Sequence, residues 1–290
     1  MKNIKKLNNF ALITGGSRGI GKSIAEELAG KGYDILIASL PDDEIDQTKA
    51  EIEEKYGVFV DVKLVDLTKE DGPESVFQWC EENNYILKIL VNNAGIGYTG
   101  PFETFEVSFY ESLLKLNVLS TVKLTRLFSK MLIKNSPSYI LNVASLASFY
   151  DMPFKTVYSS SKGFIYSFSR ALREEFKSKG VSISVLCPGG VITTDKIEEA
   201  VKSLNFIGKS TIHTAKAVGE IGIKGLFKKK AYIIPGLMNK ILFGLNYVIP
   251  YPIQMRIMKS QLKKYKQEAN VVPEIEVLDS AGNKKESLSV

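Results

Sequence analysis

Between residues 10 and 186, short aliphatic and β-branched runs alternate with stretches of helical period, and that rhythm leaves few folds open. The predicted strands are Phe10–Thr14, Ile35–Ser39, Val58–Val65, Ile89–Asn92, Tyr139–Val143 and Val181–Leu186, with helical patterns near 20–30, 42–56, 69–84, 108–134 and 156–179. Strands of this length alternating with helices make βαβ units, which require a parallel sheet covered by helices on both faces. Right-handed crossovers then give a doubly wound α/β sheet. No repeat or Pro/Gly/Ser linker divides the chain, so one domain is expected over 1–235. After residue 190 the rhythm gives way to a helix-prone stretch, a helix near 214–228 and a short strand at Tyr232–Ile234. Residues 236–268 read as a basic amphipathic extension, and 269–290, without periodicity, as a mobile tail.

Composition excludes several classes. The two cysteines, Cys80 and Cys187, have no ligand-like spacing, so neither a disulfide framework nor a metal site is expected. His213 is the one histidine, and no nucleophile-elbow sequence accompanies it to support Ser–His–Asp chemistry. The basic N-terminus runs into Phe10–Thr14 without the apolar region of a signal peptide. The charge-free run 241–255 is short for a spanning helix and holds Pro250 and Pro252. A cytoplasmic protein is expected.

One turn carries chemistry. The first strand ends in Thr14-Gly15-Gly16-Ser17-Arg18-Gly19-Ile20-Gly21, and an amphipathic helix follows. Glycines let the backbone approach a ligand, and a helix N-terminus offers free N–H groups and the positive end of its dipole to a pyrophosphate. The spacing G-x-x-x-G-x-G differs from the G-x-G-x-x-G fingerprint. It resembles the short-chain dehydrogenase/reductase family, which has a Rossmann fold, and four further motifs agree in order. These are Asn92-Asn93-Ala94-Gly95, Asn117, Ser145 with Tyr158-x-x-x-Lys162, and Pro188-Gly189 with Thr193. The resemblance covers about residues 8–235 and is nearest to the 3-ketoacyl reductase and hydroxysteroid dehydrogenase branches. It implies an NAD(P)-dependent oxidoreductase acting on a small carbonyl or alcohol. It implies a dinucleotide held by Gly15, Ser17, Arg18, Gly19, Ile20, Gly21, Ser39, Asp66, Leu67, Asn93, Ala94, Gly95, Tyr158, Lys162, Pro188, Gly189, Val191 and Thr193. It also implies a homo-oligomer paired through the 108–134 and 156–179 helices.

The second strand fixes the expected nucleotide. An acid at its end would bond a ribose 2′-OH and select NAD; here it ends Ala38-Ser39-Leu40. Arg18 offers a guanidinium fork suited to a 2′-phosphate, so NADP is expected over NAD. Leu40 stands where many NADP users of the family carry a second arginine. Arg18 as a plain solvent-facing arginine, and Asp66 as an acid leading into the 69–84 helix, are the bland alternatives.

Four residues form the predicted catalytic set: Asn117, Ser145, Tyr158 and Lys162. Tyr158 and Lys162, four apart, share a helix face. A phenol titrates near ~10, and an ammonium beside it, with the positive nicotinamide ring, favours the phenolate. Tyr158 would then protonate a carbonyl oxygen or take a hydroxyl proton, with Ser145 bonding the same oxygen. By resemblance Lys162 also holds the nicotinamide ribose. Asn117 falls on an apolar stripe with Leu113 and Leu124, where an amide needs a reason: a proton-relaying water, or simply a satisfied core asparagine. A dinucleotide-binding regulator without turnover is the alternative in another class, but Tyr158 and Lys162 are both present.

Charge is unevenly spread. Residues 201–266 hold 13 Lys/Arg and one acid, Glu220, within a chain of net charge +6. No recognition motif for nucleic acid accompanies them. Mixed with Leu204, Phe206, Ile207, Leu237, Met238, Ile241, Leu242, Phe243, Leu245, Tyr247 and Val248, they suit a lid over a hydrophobic substrate, a segment lying on an anionic membrane, or a docking helix with wet lysines.

Overall fold

The computed structural model describes residues 9–192, 209–246 and 248–256. Seven strands form one parallel sheet in the order β3-β2-β1-β4-β5-β6-β9: β1 (Asn9–Thr14), β2 (Asp34–Ser39), β3 (Val60–Leu64), β4 (Ile86–Asn92), β5 (Ser138–Val143), β6 (Val181–Leu186) and β9 (Tyr232–Ile233). The helices α1 (Gly19–Ala29), α2 (Ile45–Tyr56), α3 (Gly72–Glu82), α4 (Val107–Leu114), α5 (Ser120–Lys134), α6 (Thr156–Phe176), α7 (Ala215–Phe227) and α8 (Leu237–Asn246) complete the domain.

The period of two along the strands sorts the core into two layers. In β1, Ala11 and Ile13 pack with Ile24 and Leu28 of α1, Ile52 of α2 and Val218 of α7. Phe10 and Leu12 point the other way, to Trp79 of α3 and Phe128 of α5. Every residue of β2 is buried, as expected for a strand covered on both faces. Truncating Phe128, which is fully buried, to alanine would cost about 3–5 kcal/mol.

Boundaries differ from the sequence reading for local reasons. α2 ends at Gly57, a left-handed cap (φ +64°), and the chain reaches β3 only at Val60 instead of Val58. Pro73 sits in the first turn of α3, which starts at Gly72 instead of near 69. The expected 108–134 helix is interrupted by a π-helical turn, Lys115–Leu119. A short parallel pair, β7 (Gly190–Ile192) with β8 (Ile212–Thr214), was invisible in the sequence because three residues show no period. Thr193, Leu204, Phe206, Ile207, Tyr247 and the segment 257–290, with the end of the predicted extension (257–268) and the whole tail, lie outside the described residues.

Candidate functional site

The order of the strands reverses between β1 and β4, and a ligand crevice is expected beyond the carboxyl ends of strands at such a point. A cleft of about 700 Å3 opens there. Gly15, after β1, has φ +63° and donates its N–H to Ala38 O at 2.8 Å. A Cβ on Gly21 would lie 2.0 Å from Gly15 O, so only glycine lets α1 close on the turn. Asn93, after β4, ties the two ends together: its Nδ2 donates to Thr14 O (3.0 Å) and Gly15 O (2.9 Å). The N–H groups of Asn93 and Ala94 in turn donate to Thr14 Oγ1. α1 has no side-chain cap at its N-terminus and no acid in its first turn. Its free N–H groups and dipole therefore face the cleft uncompensated, a fit to a pyrophosphate.

The adenosine end holds more than the sequence suggested. Ser39, Leu40, Asp66 and Leu67 line the cleft with Ser17 and Arg18, and so do Asp42 and Glu44, which were not foreseen. Ser17 Oγ donates to Asp42 Oδ2 at 2.5 Å, and Arg18 Nη1 stands 3.5 Å from Glu44 Oε1. These carboxylates arrive three and five residues beyond the strand end where an acid was sought. The sequence reading places both inside the predicted 42–56 helix, whereas α2 begins only at Ile45. Asp66 is no helix-leading acid: its Oδ1 accepts from Thr68 N (2.8 Å) and Thr68 Oγ1 (2.7 Å) in a turn well before α3.

Tyr158 and Lys162, on the first turns of α6, line the same cleft with Ser145, Gly95, Pro188, Gly189 and Val191. Lys162 is 6% exposed, and its Nζ donates to Val143 O at 3.0 Å. Burial lowers its pKa to about 8. Burial likewise raises the Tyr158 phenol above its usual value, and a hydrogen bond with Ser145 offsets this in part. The expected lowering by Lys162 is therefore not what governs the phenol, because desolvation dominates and the ammonium is turned to Val143 O. With its pKa raised, the Tyr158 phenol keeps its proton through the neutral range. Ser145 caps a 3-10 turn, Leu146–Phe149, accepting from Ala147 N at 3.1 Å. Its own hydroxyl proton is thus left to donate elsewhere.

Asn117 does not line the cleft. Buried in the π-helical turn, it accepts at Oδ1 from Ile96 N (2.9 Å) and donates from Nδ2 to Ile96 O (2.9 Å) and Ser161 Oγ (3.2 Å). A Cβ on Gly95 would meet Asn117 Oδ1 at 2.9 Å and Lys162 Nζ at 3.2 Å. The amide holds the loop that forms the floor of the cleft against α6. The widened turn that aims it there is a device common at functional sites. Tyr98, missed in the sequence among other aromatics, shares a hydrogen bond with Thr156 Oγ1 (3.0 Å) and accepts from Val157 N (3.1 Å), fixing the turn that carries Tyr158. Cys187 is buried with its thiol pKa pushed up, and behaves as packing.

The sequence model described as short chain dehydrogenase matches residues 9–204. The bovine (Bos taurus) very-long-chain 3-oxoacyl-CoA reductase is 38% identical, a match covering 64% of this chain and 61% of that protein. The enzyme of the same name from Macaca fascicularis is 33% identical over 89% of this chain and 82% of its own length. The solved short-chain dehydrogenase from Sphingobium yanoikuyae in complex with NADPH superposes with a TM-score of 0.70, at 20% identity, covering 93% of this chain and 99% of that one.

Proposed function

Because the chain belongs to the short chain dehydrogenase family and is an oxidoreductase, we propose that it uses NADPH to reduce an apolar ketone or acyl-type substrate, with Tyr158 as general acid. The single observation that carries this reading is the convergence of Tyr158, Ser145 and Lys162 on the cleft that the glycine turn also lines. The names of the two relatives, 3-oxoacyl-CoA reductases, point to a 3-oxoacyl thioester as the substrate class.

When bound, the dinucleotide would supply the hydride; the protein's own groups would hold both partners and move the proton. The α1 N-terminus and the Gly15–Gly21 turn would take the pyrophosphate, and Lys162 the ribose hydroxyls. Asp66, Leu67, Asn93, Ala94 and Gly95 would line the adenine-to-ribose path, and Pro188, Gly189, Val191 and Thr193 would clamp the carboxamide. Ser145 would donate to the substrate oxygen as charge grows on it. Tyr158, still protonated, would deliver its proton to that oxygen. Asn117 would act through the loop it holds, with a proton-relaying water as a further role. Following NADPH and NADH absorbance against 3-oxoacyl thioesters and simple ketones of graded chain length tests the reading. No oxidation of either dinucleotide with any of them would overturn it.

Nucleotide choice depends on Arg18 and its neighbours. NADPH should bind more tightly than NADH, and Arg18→Ala should shrink the gap by about 1–2 kcal/mol, a charge-assisted hydrogen bond's worth. Glu44 competes with a 2′-phosphate for Arg18, so Glu44→Gln should widen the gap, roughly two- to fivefold for so exposed a pair. Asp42 and Glu44 also favour the second reading, an NAD-dependent alcohol dehydrogenase, since carboxylates suit a free 2′-OH. Titrating both nucleotides by fluorescence decides: equal affinity, or a preference for NADH, would reverse the assignment.

Self-association and peripheral membrane contact belong to the same reading. Leu114, Leu119 and Phe164 are 41%, 51% and 46% exposed on the α4-to-α6 side, and Phe164 stacks on Phe168 with ring centroids 5.9 Å apart. Light scattering at micromolar concentration should find an oligomer that Phe164→Glu weakens, whereas a monomeric parent protein would refute the pairing.

A further inference from the structure

α8 turns its polar side inward. Asn239 Nδ2 donates to Thr211 O (3.1 Å) and Pro235 O (2.9 Å), and Asn246 Nδ2 donates to Phe149 O (2.7 Å). Phe243 anchors the same face, its ring centroid 4.5 Å from Phe149. The outward stripe is apolar at spacing i, i+4, i+8: Leu237, Ile241 and Leu245 are 73%, 45% and 43% exposed, and Val248 (78%) and Tyr251 (59%), past the helix end, are exposed too. A helix with amides in and leucines out reverses the ordinary arrangement, and a contiguous exposed stripe of this kind marks a contact surface.

Beside the stripe runs a groove of about 610 Å3 between α7, the edge strand β9 and α8. Lys224, Lys228, Lys230 and Lys240 line it, over a floor that includes Ile234 and Phe243, and no carboxylate among the described residues lines it. It shares no lining residue with the catalytic cleft. A second copy of the chain is a poor occupant. A two-fold contact would set the four lysines of each copy against each other with no acid between them among the described residues. An apolar stripe beside a cationic groove complements a surface that is itself apolar within and anionic at its face. No described helix is long and apolar enough to cross a membrane, so the contact is one of lying on it.

We propose that α8 and the lysine-lined groove form a docking surface for an anionic lipid bilayer. Leu237, Ile241 and Leu245 enter the boundary between headgroups and acyl chains, and Lys224, Lys228, Lys230 and Lys240 receive lipid phosphates. This deepens the peripheral-contact part of the reading above by naming the surface and the lipid class, and it is independent of the reduction chemistry.

Sedimentation of the full chain with vesicles tests it, using phosphatidylcholine alone and phosphatidylcholine mixed with phosphatidylglycerol. Binding is expected to the anionic vesicles at low salt, falling as salt screens the lysines, with little to the neutral ones. Two variants, one with all four lysines changed to glutamine and one with Leu237→Ser, Ile241→Ser and Leu245→Ser, should each lose binding on the order of tenfold or more. Turnover of a short soluble ketone should be unchanged in both, which shows that they fold. Wild-type binding that both variants retain would overturn the surface while leaving membrane contact standing. Failure of the wild type to bind anionic vesicles would remove both. Binding that emerges only when residues 267–290, which hold five acids and two lysines, are deleted would assign the groove to that acidic segment and overturn the proposal.

Discussion

Tyr158→Phe is expected to fold, to bind dinucleotide as the parent does, and to lose about 10²–10⁴ in turnover, the span of a lost general acid. The ring is retained, so its packing against the Gly97 backbone, where a Cβ would come 3.3 Å from Tyr158 Cε2, is undisturbed. What disappears is the hydroxyl that burial keeps protonated and that Ser145 bonds. The loss should fall on kcat far more than on KM, because the proton moves only as charge develops on the substrate oxygen. Single-turnover rates with the dinucleotide affinity measured alongside make the check. Turnover within a few-fold of the parent protein would remove Tyr158 from the mechanism, and an equal fall in dinucleotide affinity would make it a binding residue instead.

The parts of this fold that were legible in the sequence are those where the pattern is long or the chemistry local. β1 and β2 hold continuous apolar runs, Phe10–Ile13 and Ile35–Ala38, buried on both faces, and a run of that kind next to a helical period admits little else. The glycine turn was legible because Gly15 and Gly21 each meet a demand that no other residue meets. What escaped depends on contacts between distant segments. Asn117 was singled out as an amide among leucines, but its partner, the Ile96 backbone, lies twenty-one residues away. Asp42 and Glu44 fell inside the predicted 42–56 helix, but the helix begins only at Ile45, and the folded chain brings both to Ser17 and Arg18. The apolar residues of α8 were noticed, but their direction was not legible, since Asn239 and Asn246 find backbone carbonyl partners only in the folded chain.

Lys162→Met should lower turnover and dinucleotide affinity together. The ammonium is enclosed beside Gly95 and Val143, on one side of α6 with Tyr158, so under the proposed reading one group would serve both the ribose and the catalytic end of the cleft. Loss of a hydrogen bond to a charged group, about 1.5–3 kcal/mol, corresponds to roughly a ten- to hundredfold weaker dinucleotide. Stability should respond with the opposite sign. Burial lowers the lysine's pKa to about 8, so between there and its ordinary value near 10.5 the unfolded chain binds more protons than the folded one. The parent protein therefore gains stability as pH rises through that window, and below it bears the full cost of burying a charge. Methionine carries no such charge, so Lys162→Met should lack this rise and gain most, relative to the parent, below about pH 8. Denaturant titrations of both proteins on either side of that pH, beside turnover and nucleotide affinity, test the whole account. If turnover fell while affinity held, Lys162 would serve the proton alone; if affinity fell while turnover at saturation held, it would serve the ribose alone. Parallel pH–stability profiles would mean that the buried ammonium is already compensated within the fold.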